Sequence, residues 1–159
     1  MVSAGGNLGA AVALMARDRG GPSLSWQCLD VPGTDFTMSC PSVQADHVNA
    51  GYTPTRRSLE VYRDLYLSNP ADRCHPYASP LLAADVSGLP PALVMTCGLD
   101  ALPDEGEAYG RRLREAGVAC SIVRWTGLTH GTNMFTALLP EAWSCVDLVA
   151  STLRRVHGL

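Results

Sequence analysis

A serine near the start of the sequence stands in surroundings that suit a nucleophile. Ser3 is followed by the small residues Ala4, Gly5 and Gly6, after which an apolar helical pattern begins. A nucleophilic serine is presented in this way at a sharp turn between a strand and a helix, where the backbone must approach the substrate. The free N–H groups at the start of such a helix also favour developing negative charge. Taken alone, the stretch also fits a flexible start to a helix.

An acid and a histidine later in the sequence could complete the same site. Asp100 ends an apolar run that predicts a strand, and His130 lies in a loop after a second predicted strand. Acyl transfer needs a nucleophile, a base and a group that orients the base, and Ser3, His130 and Asp100 could fill these roles. Each also has an ordinary alternative, because an aspartate after a strand is often a turn residue and a His-Gly pair is often only part of a loop.

Five stretches resemble, in order, the hormone-sensitive-lipase-like branch of the α/β-hydrolase family, whose triad order is serine, acid, histidine. They are residues 3–8, 79–82, 88–92, 100–106 and 127–131, and they cover nearly the whole chain. The resemblance implies an α/β fold with a mostly parallel sheet flanked by helices. It also implies a serine carboxylesterase or lipase-like hydrolase that uses a Ser-His-Asp triad, forms an acyl-enzyme and needs no cofactor. The N–H of Ala4 would be one oxyanion donor.

The resemblance covers only the C-terminal half of such an enzyme. Family members have Gly-Asp before the serine, where this sequence has Met1 and Val2, and an upstream His-Gly-Gly-Gly segment supplies further oxyanion donors. We therefore expect a truncated α/β-hydrolase that lacks its N-terminal strands and hydrolyses activated esters weakly or not at all. The predicted strand 24–31 would have a bare apolar edge, which predicts a homo-oligomer or a partner that provides the missing half.

Length and composition limit the alternatives. The 159 residues suffice for one compact domain, and the net charge of −3 gives no sign of a nucleic-acid partner. The sequence has no lysine, which excludes Schiff-base chemistry and a P-loop. Its six cysteines are scattered and its histidines lack ligand spacing, so we expect reduced thiols and no metal site. Without a membrane-spanning run or a signal-peptide pattern, a cytoplasmic location is the default expectation.

Hydrophobic periodicity and turn residues predict strands that alternate with helices, which is typical of a parallel α/β sheet. Three of the predicted helices are residues 7–17, 104–117 and 140–157. A fourth predicted helix is capped by Thr53 and ends near residue 67. The predicted strands are residues 24–31, 92–96 and 120–125. On the first helix, Leu8, Val12 and Met15 share one face. The residues expected to face inward on the helix 104–117 are Tyr109, Leu113 and Ala116. Those expected to face inward on the last helix are Ala142, Cys145, Val146, Val149, Leu153 and Val156.

The irregular segment 34–69 corresponds to a cap over the active site in the family, and the resemblance implies a cap-like insertion here within a single domain 1–159. Its apolar residues would then line a pocket for the acyl group of a small ester substrate. They are Phe36, Met38, Tyr52, Tyr62 and Tyr66. The alternative is that each of them is an ordinary packing residue.

Two further interpretations remain open for the whole chain. It could be a hydrolase remnant without activity that binds a partner through its exposed sheet edge, or a small ligand-binding module of another kind. The presence of Gly-Asp and His-Gly-Gly-Gly in sequence upstream of Met1 would favour the esterase. The acyl length and the alcohol of the ester are not encoded in any motif.

Overall fold

The computed structural model describes residues 1–45 and 54–159, which form a parallel sheet of three strands with helices on both faces. The strands are β1 (Gln27–Asp30), β2 (Ala92–Leu99) and β3 (Cys120–Thr129). The helices are α1 (Ala4–Asp18), α2 (Pro41–Gln44), α3 (Arg56–Tyr66), α4 (Pro103–Glu115) and α5 (Pro140–His157). Short 3₁₀ turns lie at Pro70–Cys74, Pro80–Leu82 and Thr132–Met134. The predicted α/β class is confirmed.

The central strand β2 pairs with β1 on one side and with β3 on the other, and both pairings are parallel. In the register, Ala92 lies opposite Gln27 of β1 and Cys120 of β3. The strand is almost continuously apolar because helices cover both of its faces, as parallel sheets require. Its carboxyl end, together with that of β3, is where the acid and the histidine leave the sheet.

The helix α1 packs with a different face from the one predicted. Leu8 and Val12, which share the apolar face that the periodicity marks, are 49% and 50% exposed, so this face is not the buried one. The buried residues are Gly6, Asn7, Gly9, Ala10, Ala11, Ala13 and Leu14. Small residues form this face because the helix lies very close to its neighbours, and a Cβ placed on Gly6 would come within 2.8 Å of the Cβ of Pro32.

The helices α4 and α5 follow their predicted faces to different degrees. Tyr109 and Leu113 of α4 are fully buried in the main core, as predicted. On α5, Ala142 and Cys145 are buried, but Leu153 is largely exposed although it was expected to face inward. The inward stripe of α5 is therefore only partly covered by the described residues.

Several element boundaries differ from the predicted ones. The strands β2 and β3 run to Leu99 and Thr129, beyond the predicted ends, and the pairing register shifts between Cys97 and Leu99. The strand β1 is shorter than predicted. The N-cap of α3 is Thr55, whose hydroxyl accepts a hydrogen bond from the N–H of Ser58, while the predicted cap Thr53 lies outside the described residues.

The outer edge of β1 is not entirely bare. Val2 forms a parallel bridge to Asp30, and the N–H of Asp30 donates to the carbonyl of Met1 at 2.9 Å. These two residues thus act as a very short fourth strand that leads directly into Ser3.

Candidate active site

Ser3 adopts a backbone conformation that L-residues rarely take. Its φ is 54° and its ψ is −117°, and it lies between the Val2 bridge and the first turn of α1. Hydrogen bonds enforce this conformation, since the N–H of Ser3 donates to the carbonyl of Asp30 at 2.8 Å and the N–H of Gly5 donates to that of Val2 at 2.8 Å. Strain of this kind persists only where the surroundings impose it, and it occurs at a serine on a sharp strand-to-helix turn.

The acid and the histidine meet at the carboxyl end of the sheet. Nδ1 of His130 lies 2.8 Å from Oδ2 of Asp100, which is only 2% exposed. The other carboxylate oxygen of Asp100 accepts hydrogen bonds from the N–H groups of Ala101 at 2.6 Å and Leu102 at 3.3 Å. A carboxylate fixed in this way holds Nδ1 as the protonated nitrogen, which leaves Nε2 of His130 available as a base.

Ser3 and His130 are not joined by a hydrogen bond in the described part of the chain, where His130 bonds Asp100. Bonds between a nucleophile and its base often tighten only when substrate is present. Asp30, at the end of β1, interacts electrostatically with both His130 and Asp100. Burial raises the pKa of Asp30 to about 6, which the positive chain terminus and His130 partly oppose.

The N–H of Ala4 is free to donate a hydrogen bond to a negatively charged oxygen. Ala4 is the first residue of α1, and its N–H makes no hydrogen bond among the described residues. It therefore lies where the residue after a serine nucleophile supplies an oxyanion donor, with the positive end of the helix dipole behind it.

A mostly apolar cavity of about 290 Å³ opens beside Ser3. Four of the five residues expected to form an acyl pocket line it, namely Phe36, Met38, Tyr62 and Tyr66. The rings of Phe36 and Tyr66 lie 5.7 Å apart between centroids. The fifth residue, Tyr52, lies outside the described residues.

Three polar side chains that the sequence analysis did not single out also line this cavity. They are Asn7, Asp35 and Glu105. Burial raises the pKa of Glu105 to about 8, although two backbone N–H groups oppose this shift. Asn7 and Glu105 fall within stretches that resemble the family, but neither spacing nor periodicity indicates a role for them.

Neither a metal site nor a membrane span is found in the described residues. Residues 1–45 and 54–159 contain no group of three or more His, Cys, Asp or Glu side chains placed to hold a metal ion. Within the same ranges, no helix combines the length and the apolar character that crossing a bilayer requires.

A serine on a strained strand-to-helix turn, followed by an acid and a histidine at the ends of the parallel strands β2 and β3, defines a protein of the α/β-hydrolase class. The comparison with known families agrees, because a family model described as alpha/beta hydrolase fold matches residues 2–134. The chain belongs to this family, and its relatives place it in the hormone-sensitive-lipase-like esterase and lipase branch.

Three similar proteins have names that describe ester hydrolases. The carboxylic ester hydrolase LipN of Mycobacterium tuberculosis is 42% identical over 84% of this chain and 36% of its own length. The ethyl acetate hydrolase of Pseudomonas putida is 34% identical over 96% of this chain and 48% of its own length. A hyperthermophilic esterase from the archaeon Pyrobaculum calidifontis superposes with a TM-score of 0.90, at 38% identity, over 98% of this chain and 51% of that one. The chain thus spans about half the length of such relatives, or less.

Proposed function

We propose that this chain is a carboxylic-ester hydrolase, or the half of one that contains the catalytic triad. The observation that supports this most directly is the bonded pair of Asp100 and His130, in a chain whose Ser3 occupies a strained turn. The names of the similar proteins, which include carboxylic ester hydrolase and esterase, agree with this class of reaction.

In the proposed reaction, Ser3 attacks the ester carbonyl while Nε2 of His130 removes the proton from its hydroxyl. Asp100 keeps the imidazole oriented and stabilises its charged form. The N–H of Ala4 stabilises the oxyanion of the tetrahedral intermediate. His130 then returns the proton to the leaving alcohol, and water hydrolyses the acyl-enzyme with the same base.

The segment 34–69 would serve as a cap over this reaction. Phe36, Met38, Tyr62 and Tyr66, which border the cavity next to Ser3, would contact the acyl group of the substrate. A cavity with mostly apolar walls favours an uncharged acyl chain, because burial of apolar surface is the main favourable term for such a ligand.

The isolated chain is expected to be a weak catalyst. Ala4 is the single oxyanion donor that the proposal assigns, and the sequence contains no His-Gly-Gly-Gly segment to supply others. Loss of one such donor lowers the rate by a factor on the order of 10² to 10³. Full activity would then require a second polypeptide segment that adds further N–H groups at Ser3.

The test compares the purified chain with Ser3→Ala in the hydrolysis of p-nitrophenyl butyrate and in labelling by a fluorophosphonate probe. We expect slow hydrolysis and labelling that both disappear in Ser3→Ala, because no other residue is assigned as the nucleophile. Ser144→Ala, at an exposed position of α5, is the control and should change neither. Hydrolysis that survives in Ser3→Ala would contradict the assignment of the nucleophile.

A second candidate is a protein without activity that binds a partner. It is favoured by an open groove of about 370 Å³ between α5 and the edge of β1. Most of the residues that line it are apolar, among them Met1, Val2, Val146, Val149 and Leu153. If the purified chain neither hydrolyses the ester nor takes up the probe, this interpretation is preferred.

A further inference from the structure

One side of the cavity is an irregular segment whose backbone is held by side chains. We call residues 33–38 the wall segment, because it brings Phe36 and Met38 to the cavity. It belongs to no helix or strand, so its N–H and C=O groups must find partners elsewhere. Its shape therefore depends on the few polar groups that bind it.

Glu105 is the polar group that binds the middle of the wall segment. Its Oε1 accepts hydrogen bonds from the N–H of Thr34 at 2.5 Å and from the N–H of Asp35 at 3.1 Å. The hydroxyl of Thr34 in turn donates to the backbone carbonyl of Glu105 at 2.9 Å. Glu105 lies in the first turn of α4 and is only 2% exposed, so water does not compete for these hydrogen bonds.

Other elements fix the two ends of the wall segment. Nδ2 of Asn7 donates to the carbonyl of Gly33 at 2.8 Å, which ties the segment to the helix that starts at Ser3. The N–H of Phe36 donates to the hydroxyl of Ser79 at 2.8 Å. Nε2 of Gln44 donates to the carbonyl of Met38 at 2.9 Å and holds the other end. Of the four side chains that bind the backbone of the wall segment in this way, Asn7, Gln44, Ser79 and Glu105, Glu105 is the titratable one.

The wall segment also contains internal strain. Met38 has a φ of 58°, a left-handed conformation that an unbranched side chain adopts only when its surroundings require it. The carboxylate of Asp35 accepts hydrogen bonds from the N–H and hydroxyl groups of Thr37 and Ser39, which closes the turn around Met38. Because the Asp35 backbone is itself bound by Glu105, release of Glu105 would loosen the turn that directs Met38 into the cavity.

We propose that Glu105 is a positioning residue that sets acyl-chain selectivity by holding the wall segment against the cavity next to Ser3. This inference rests on the proposed esterase function and adds to it a residue that touches neither the ester carbonyl nor the triad. A glutamine at this position keeps an oxygen that accepts both N–H bonds, whereas an alanine leaves both donors buried without a partner.

The first test measures kcat and KM for p-nitrophenyl acetate and p-nitrophenyl hexanoate. In Glu105→Ala we expect the preference for hexanoate over acetate to fall about tenfold, mainly through KM, as when about two methylene groups lose apolar contact. Glu105→Gln should restore the preference to within about twofold of the original chain, because its amide oxygen replaces Oε1. Glu107→Ala is the matched control, since Glu107 lies on the same helix but bonds Thr96 and Arg124 instead.

An equal loss for both esters in Glu105→Ala, or the same change of preference in Glu107→Ala, would overturn the proposal. If the original chain hydrolyses neither ester, the proposed function fails but this inference is still tested. NMR titration with hexanamide and acetamide then replaces the kinetics, and amide exchange reports on the wall segment. We expect the amides of Thr34 and Asp35 to lose protection in Glu105→Ala while that of Val94 in β2 keeps it. Unchanged protection or unchanged hexanamide affinity would refute the proposal.

Discussion

At the scale of single residues, two buried carboxyl groups lie close to the proposed triad without belonging to it. Glu105 has backbone partners, but the carboxyl group of Asp30 has no hydrogen bond among the described residues and is only 8% exposed. A buried acid without hydrogen bonds favours its neutral form, which explains why burial raises the pKa of Asp30 to about 6. Its effect on stability can be tested without any enzymatic activity.

We expect Asp30→Asn to be more stable than the original chain at neutral pH. The folded pKa of about 6 exceeds the ordinary value of 3.8, so the folded state binds more protons than the unfolded state between these values. The free energy of unfolding of the original chain therefore falls as the pH rises through this window, by at most about 3 kcal/mol. The raised pKa of Glu105 also makes the free energy of unfolding fall with rising pH, between its ordinary value of 4.5 and about 8. Because Glu105 is present both in the unsubstituted chain and in Asp30→Asn, its contribution cancels in the difference between them.

Urea denaturation at several pH values between 4 and 7 measures this difference. The stability gain of Asp30→Asn should grow from pH 4 to pH 6.5 and then remain constant. Asp147→Asn, at an exposed position of α5, is the control and should show no such gain. A gain that does not change with pH would show that Asp30 does not titrate as described.

The residues of the proposed triad could be singled out from the sequence, but the residue that supports the cavity next to them could not. Ser3, Asp100 and His130 lie in short motifs with recognisable neighbours, and the structure brings Asp100 and His130 into contact. Glu105 could not be found in this way, because its partners are backbone groups 70 and 71 residues earlier in the chain. Contacts to the backbone leave no signature in the type of the partner residue, so only the folded structure reveals them.

At the scale of secondary-structure elements, the least predictable feature was the face that α1 turns to the sheet. The bounds of α5 agreed with the prediction, since Pro140 starts the helix and Gly158 ends it with a φ of 69°. For α1, the stripe of large apolar residues suggested the wrong face. Hydrophobic periodicity assumes that the largest residues are buried, and this fails where a close approach between backbones requires glycine and alanine.

The close approach of α1 to Pro32 predicts opposite effects on stability when Gly5 and Gly6 are replaced by alanine. A Cβ on Gly6 would lie 2.8 Å from the Cβ of Pro32 and 3.0 Å from its Cα, so we expect Gly6→Ala to lower the free energy of unfolding by about 1–3 kcal/mol. A Cβ on Gly5 would meet only the Cβ of Met1 at an ordinary 3.6 Å. Because alanine is the better helix former, Gly5→Ala should be neutral or stabilising by up to about 1 kcal/mol.

Urea denaturation of both variants gives the comparison, and each serves as the control for the other. Equal destabilisation by the two substitutions would indicate that the tight contact with Pro32 is absent. Equal stabilisation would indicate that the helix can shift away from the loop that follows β1.

At the scale of the whole molecule, the described residues leave an apolar groove open. The groove between α5 and the β1 edge is lined by residues that a complete sheet with helices on both faces would cover. The sequence could indicate an apolar inner face for α5, but it could not show which residues of that face remain uncovered. Leu153, predicted to face inward, is 44% exposed and lines this groove.

Such a groove beside a strand edge favours association with a second copy of the chain. We expect the purified chain to be larger than a monomer in static light scattering and Leu153→Arg to shift it toward the monomer, because a charge in the groove opposes burial. Leu65→Arg is the matched control, since Leu65 on α3 is 82% exposed outside the groove and should leave the mass unchanged. Far-UV circular dichroism of both variants establishes that they remain folded. A uniform monomer of the original chain would contradict self-association, and dissociation by both variants would place the contact elsewhere than in the groove.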